Sequence, residues 1–168
     1  MILSIDPGSS ESAFTVLDET LKPIKFGKIL NADLAILTPE LMYDHKINNV
    51  AIEAIASYGM AVGKEVFDTC IWVGRFWEIA LKRMDLNEVR LIYRKEEKMN
   101  LCHSMKAKDS NITQALVDRF ASGQPNHGKG TKKAPGWFFG FSKDVWQSYA
   151  VGVTYYDLYV KPKSEKEG

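Results

Sequence analysis

The chain has 168 residues, of which 45% are apolar and 26% charged, with a formal net charge of +1. That composition excludes extensive disorder, collagen and coiled coil, and no apolar run approaches the roughly 20 residues needed to cross a bilayer. One domain over residues 1–160 is expected, followed by a disordered charged tail at 161–168 (KPKSEKEG).

The first six residues, Met1 to Asp6, already reach a carboxylate, too early for a secretory signal, so a cytoplasmic location without membrane contact is expected. Cys70 and Cys102 form no CxxC, and His45, His103 and His127 are scattered, which argues against zinc and for reduced, mostly buried thiols. The charge is uneven. Residues 90–143 carry eleven Lys/Arg against four Asp/Glu, while the remainder is acidic. A basic segment in a near-neutral chain suits a polyanion or a solvated basic loop equally well.

In chain order, Met1 to Asp6 reads as a buried strand entering an Asp-Pro-Gly turn. Ser12 to Leu17 and Pro23 to Leu30 complete an antiparallel meander. Asp33 to Lys46 has helical spacing, with Pro39 expected to break or shorten it. Asn49 to Glu53 is a strand, and Val62 to Met84 a long helix apolar on more than one face, as a central or subunit-contact helix would be. Glu88 to Tyr93 is a fifth strand. Lys95 to Ala107 is polar and has no assignable period. A helix follows from Asn111 to Ala121, capped by Asp109 or Ser110, and then a Gly/Pro/Lys-rich loop at 122–141. Ser142 caps a last helix, Lys143 to about Tyr159. The expected fold is α/β, with a mixed five-stranded sheet, antiparallel in its first three strands, flanked by helices.

Three acids stand at the ends of these elements. Asp6 closes the first strand beside a small-residue turn, Glu53 closes the fourth, and Asp144 opens the last helix. Each has an ordinary structural explanation: a turn former, a paired strand-end acid and a charge favoured at a helix N-terminus. As a set they make a hard-oxygen site suited to Mg²⁺ or Mn²⁺ and to phosphoryl transfer.

ILSIDPGSS at the start, VAIEAIASYG in the middle and KDVWQSYAVGVTYY at the end resemble the RuvC-type Holliday-junction resolvases of the ribonuclease H-like superfamily, and look closest to phage-encoded members. The resemblance covers nearly the whole chain, with 47 residues from Asp6 to Glu53 and 91 from Glu53 to Asp144. It implies Asp6, Glu53 and Asp144 as catalytic metal ligands. The family usually has a second acid three residues after the first on the last helix, as D-x-x-D. Here Gln147 stands at that place, as a neutral ligand or a holder of water. Lysines near the scissile phosphate are also implied, with Lys108 the better candidate and Lys106 the second. In the loop after Glu53, Tyr58 either stacks on an opened base or packs in the core.

The 122–141 loop holds Lys129, Lys132 and Lys133, suited to phosphates, beside Trp137, Phe138 and Phe139, which suit base stacking or, better, packing on the last helix. Gly123 to Gly130 nearly matches a phosphate-binding GxxxxGK[ST] loop but lacks the hydroxyl residue and the strand–loop–helix context. The expected activity is metal-dependent, structure-selective hydrolysis of four-way and other branched DNA, in the host-cell cytoplasm if the gene is phage-borne. The alternatives are a related nuclease for flaps, forks or hybrids, and a non-catalytic branched-DNA binder. Paired incisions imply a homodimer, with Val66–Leu81 as its contact helix.

Overall fold

Five apolar segments bounded by turn residues form one sheet. In the computed structural model, which describes residues 1–56, 59 and 61–161, these are β1 (Ile2–Asp6), β2 (Glu11–Leu17), β3 (Pro23–Leu30), β4 (Asn49–Ala54) and β5 (Val89–Tyr93). The strand order is β3-β2-β1-β4-β5. β1 and β3 pair antiparallel with β2, whereas β4 runs parallel to both β1 and β5. The helices are α1 (Asn31–Asp44), α2 (Lys64–Leu81), α3 (Arg94–Cys102), α4 (Asp109–Phe120) and α5 (Lys143–Tyr155), the last continued by a π-helical turn at Tyr156–Val160. The mixed sheet with an antiparallel first half is the α/β architecture expected from the sequence.

Alternation along β1 divides the core between the two faces of the sheet. Leu3 and Ile5 pack with Leu34, Leu41, Phe76 and Ala80 of α1 and α2. Ile2 faces Ile112, Leu116, Phe138 and Tyr149, from α4, the following loop and α5. A strand covered on both faces reads as a continuous apolar run, as β1 does.

α5 lies very close to the sheet. A Cβ on Gly152 would fall 2.4 Å from Leu17 Cδ1 and 2.8 Å from Ser4 Oγ. One turn nearer the helix start, the Ser148 and Thr15 hydroxyls meet at 2.6 Å, and Ser148 Oγ also donates to the Val145 carbonyl at 3.0 Å. Small and hydroxyl-bearing residues thus form the seam that fixes α5, and with it the position of Asp144.

Several local expectations change. α1 runs through Pro39 to Asp44. The ring removes one helix hydrogen bond, but buried Leu34, Leu41 and Met42 hold the helix to the sheet on both sides of it. The unassigned polar stretch contains α3, whose start is fastened by the Tyr93 amide donating to Glu96 Oε2 at 2.8 Å. α4 begins at Asp109, with Lys108 at its N-cap. Cys70 is exposed on α2 and Cys102 is half-buried. Lys161 still continues the last helical turn, and the remainder of the expected tail lies outside the described residues. No helix among the described residues is long and apolar enough to cross a membrane.

The 122–141 loop is ordered by its own backbone: Gly130 N donates to Pro125 O, Gly136 N to Lys129 O and Phe138 N to Gly128 O, at 2.9–3.1 Å. Phe138 is fully buried and Trp137 stacks on Phe120 at 5.5 Å between centroids, so both pack on the helices, while Phe139 is exposed. Trp137 Nε1 donates to the Tyr149 hydroxyl at 3.2 Å, and that hydroxyl donates to the Leu21 carbonyl at 3.0 Å. One buried phenol therefore ties the loop, α5 and the β2–β3 turn together. Tyr149→Phe should lower the unfolding free energy by about 1–3 kcal/mol, because it strands a donor and an acceptor. Urea denaturation reads this directly, and an unchanged midpoint and slope would show that the phenol does not carry the connection.

Candidate active site

The parallel register of β1 and β4 pairs Ile5 with Ile52, so Asp6 and Glu53 follow side by side at the same edge. Adjacent strands lie about 4.8 Å apart, which brings the two carboxyl groups within reach of each other. A hydrogen bond joins the two side chains. Burial, then the charge of Glu53 and that hydrogen bond, hold the Asp6 carboxyl well above its ordinary value of 3.8; Glu97 and Asp144 push it the same way.

The chain after Asp6 is built to turn tightly there. A Cβ on Gly8 would lie 2.3 Å from the Glu11 carbonyl oxygen. Gly8 N donates to Ser12 Oγ at 3.2 Å, Asn31 Nδ2 donates to Gly8 O at 2.9 Å, and the Ser12 hydroxyl donates to Asn31 Oδ1. Ser12 and Asn31 are both buried, so the turn beside Asp6 is anchored from β2 and α1.

β5 ends one strand further along, with Tyr93 paired to Ala54, and α3 starts immediately with Arg94. This places two groups at the site that sequence reasoning did not find. The Glu97 side chain is completely buried, and its Oε2 accepts from Arg94 Nη1 at 2.6 Å. The same Nη1 donates to Gln147 Oε1, while Nη2 pairs with Asp109. Burial, then repulsion from Glu53, raises the Glu97 carboxyl well above its ordinary range, against the pull of Arg94. Burial alone would depress Arg94, but Glu97, Glu53 and Asp109 hold its guanidinium above its ordinary value.

Asp144 enters from the first turn of α5, the end favourable to a negative charge. Its Oδ2 lies 3.1 Å from Lys28 Nζ, which is also 3.5 Å from Glu11 Oε2. Asp6, Pro7, Gly8, Glu11, Ala13, Lys28 and Asp144 line a polar cavity of about 190 Å³. Lys28 and Glu11 also escaped the sequence reading, since they sit on opposite strands of an ordinary hairpin and only the pairing of β2 with β3 brings them to the edge.

The other sequence candidates fall around this centre. Gln147 is half-buried on α5 and bonded to Arg94. Lys106 and Lys108 are exposed before α4, and Lys108 adjoins Asp109, the outer partner of Arg94. Lys132 and Lys133 are exposed on the 122–141 loop and Lys129 is half-buried there. Tyr58 lies outside the described residues. Asp157, further along the last helix, is bound by Arg119 at 2.6 and 2.9 Å and by Asn100 at 2.9 Å, and serves the packing of that end.

Among the described residues, no three His, Cys, Asp or Glu side chains are gathered tightly enough to hold a metal ion. The arrangement is a bonded carboxyl pair, with Asp144 drawn to Lys28 and Glu97 drawn to Arg94. The donor set nevertheless fits a hard divalent cation. It is made of oxygens, it crowds like charges, and Glu97 Oε1 is buried without a hydrogen-bond partner among the described residues. A bound cation would relieve the repulsion that these carboxylates exert on Asp6.

The mixed five-stranded sheet, in the order β3-β2-β1-β4-β5 and flanked by helices, is a ribonuclease H-like α/β fold. No family model and no curated protein matches the sequence. Among solved structures, the chain is similar to Thermus thermophilus RuvC in complex with Holliday junction substrate, at 13% identity and a TM-score of 0.68, covering 96% of this chain and 94% of that one. It is similar as well to the Thermus thermophilus RuvC structure, at 14% identity and a TM-score of 0.66, covering 96% of each chain. At such identities the likeness is one of fold.

A carboxyl raised in the folded state stabilises the protein below its unfolded value and loses that contribution as pH rises through the folded one. The metal-free protein should therefore lose stability as pH climbs above 3.8 toward the raised Asp6 value. Asp6→Asn should flatten that decline and be the more stable form at pH 8. Chemical denaturation in EDTA across pH 4–8 checks this, and parallel curves for the two proteins would contradict it.

Proposed function

We propose that this protein is a divalent-metal-dependent endonuclease that hydrolyses phosphodiester bonds in branched DNA, four-way junctions foremost. The observation that carries the reading is the Asp6–Glu53 carboxyl pair at the sheet edge, with Asp144 across a small polar cavity. The fold supports the choice of substrate, because the Thermus RuvC it resembles was solved with Holliday junction substrate.

Asp6, Glu53 and Asp144 would hold Mg²⁺ or Mn²⁺, with Gln147 beside them. Such an ion supplies activation of water and neutralisation of charge at the phosphate. Lys28, now held by Asp144 and Glu11, is placed to take up a phosphate oxygen once a cation engages Asp144. Arg94 orients Glu97 and Gln147. Lys108 and Lys106, before α4, would grip the backbone near the cut. Lys129, Lys132 and Lys133 extend the basic surface along the 122–141 loop, and Tyr58 is the candidate for stacking on an unpaired base.

Two incisions across a junction need two sites, so a twofold dimer belongs to the proposal. α2 suits its contact: Phe67 is 60% and Ile71 56% exposed, beside an open groove of about 600 Å³ that Trp72 and Ile79 also line. We place the protein in the cytoplasm, where its DNA substrate would be.

A second reading has a specific observation in its favour. Arg94 and Lys28 already compensate two of the carboxylates, as they would in a branched-DNA binder that has lost catalysis. A labelled four-way junction and a linear duplex, each with Mg²⁺, Mn²⁺ or EDTA, separate the two. The nuclease reading predicts metal-dependent paired nicks in the junction only. Asp6→Asn and Glu53→Gln should reduce the rate by at least about a thousandfold, in line with removing a principal transition-state stabiliser, while retaining junction binding. Tight binding without cutting in either metal would favour the binder. In sedimentation the protein should run at twice the chain mass, and a monomer at micromolar concentration would remove α2 as the dimer contact.

A further inference from the structure

Glu97 has an unusual environment for a counterion. Its side chain is fully buried, yet only Oε2 is used, in the bond from Arg94 Nη1 at 2.6 Å. Oε1 is buried with no hydrogen-bond partner among the described residues. An ion pair serving stability alone is expected to satisfy both oxygens, because a buried unpaired acceptor costs free energy. The exposed partner of the same guanidinium, Asp109, already supplies a second negative charge to Arg94. Glu97 is therefore more than charge balance.

The contacts of Arg94 show what the Glu97 carboxylate lies beside. Arg94 Nη1 contacts both Glu97 Oε2 and Gln147 Oε1. Two acceptors on one nitrogen lie within about 6 Å of each other. The Glu97 carboxylate thus sits next to the side chain three residues after Asp144 on α5, within electrostatic reach of Glu53 and Asp6. α5 contributes one carboxylate and one neutral amide to this region, and α3 contributes a carboxylate at the place where the amide leaves a charge lacking.

We propose that Glu97 is the fourth acidic ligand of the divalent-cation site, supplied from α3 instead of α5. This rests on the nuclease reading above and adds a ligand to it. Arg94 is then a positioning residue, which holds Glu97 and Gln147 at the site's edge.

Mn²⁺ binding to the full-length protein without DNA, followed by titration calorimetry and by the rise in melting temperature, tests the assignment. Wild type should bind, and Asp6→Asn should not. Glu97→Gln should bind at least about tenfold more weakly, as expected for a lost ligand, and show a smaller Mn²⁺-induced rise in melting temperature. Glu97→Gln/Gln147→Glu, which moves the acid to α5 and keeps a counterion for Arg94, should recover most of the affinity. That double variant also serves if Glu97→Gln alone does not fold. A merely structural Glu97 would lower the melting temperature in EDTA and leave Mn²⁺ affinity at the wild-type value, which overturns the proposal. A folded double variant that binds no better than Asp6→Asn overturns it too. If wild type itself binds no Mn²⁺, both this proposal and the nuclease reading fail. If Asp6→Asn loses binding and Glu97→Gln keeps it, only the Glu97 assignment fails.

Discussion

The parallel pairing of β1 with β4 forces two carboxyl groups together at a half-buried edge, and the rest of the site answers that repulsion. Burial, and then the neighbouring Glu53, disfavour the charged form of Asp6. Two cations attend the neighbouring acids: Lys28 on Asp144, from β3, and Arg94 on Glu97, from α3. Two side-chain cations thus offset two of the acids at this edge.

Packing elsewhere serves to keep this edge in place. The seam of Ser4, Thr15, Ser148 and Gly152 admits α5 against the sheet closely enough to bring Asp144 to the same cavity as Asp6. Ser12 and Asn31 lock the turn that follows Asp6. Tyr149 secures the 122–141 loop to α5, so the loop presents Lys132 and Lys133 outward while it buries Phe138. α2 is less committed: only Thr69, Phe76 and Ala80 are buried along it, and Phe67 and Ile71 are exposed on its outer face.

Much of this was legible in the chain because β1, β2, β4 and β5 are apolar runs between turn residues, and because Asp6, Glu53 and Asp144 each sit at the end of an element. What escaped did so for physical reasons. α3 shows no apolar stripe because its buried side chain is Glu97, a carboxylate whose burial depends on Arg94 and so on tertiary structure. Lys28 belongs to a half-exposed strand and gains meaning only through cross-strand proximity to Glu11 and contact with α5. Pro39 misled because local propensity was outweighed by the burial of residues on both sides of it. Cys70 misled because α2 stands partly clear of the core.

On the proposed reading, the Asp6–Glu53 pair is a cation site held ready by the fold. Anomalous diffraction from crystals grown with Mn²⁺ tests it most directly. An anomalous peak between the Asp6 and Glu53 carboxylates, in contact with both, is the expected result. A peak elsewhere, or none, with the two carboxyl groups still hydrogen-bonded to each other in saturating Mn²⁺, would contradict it.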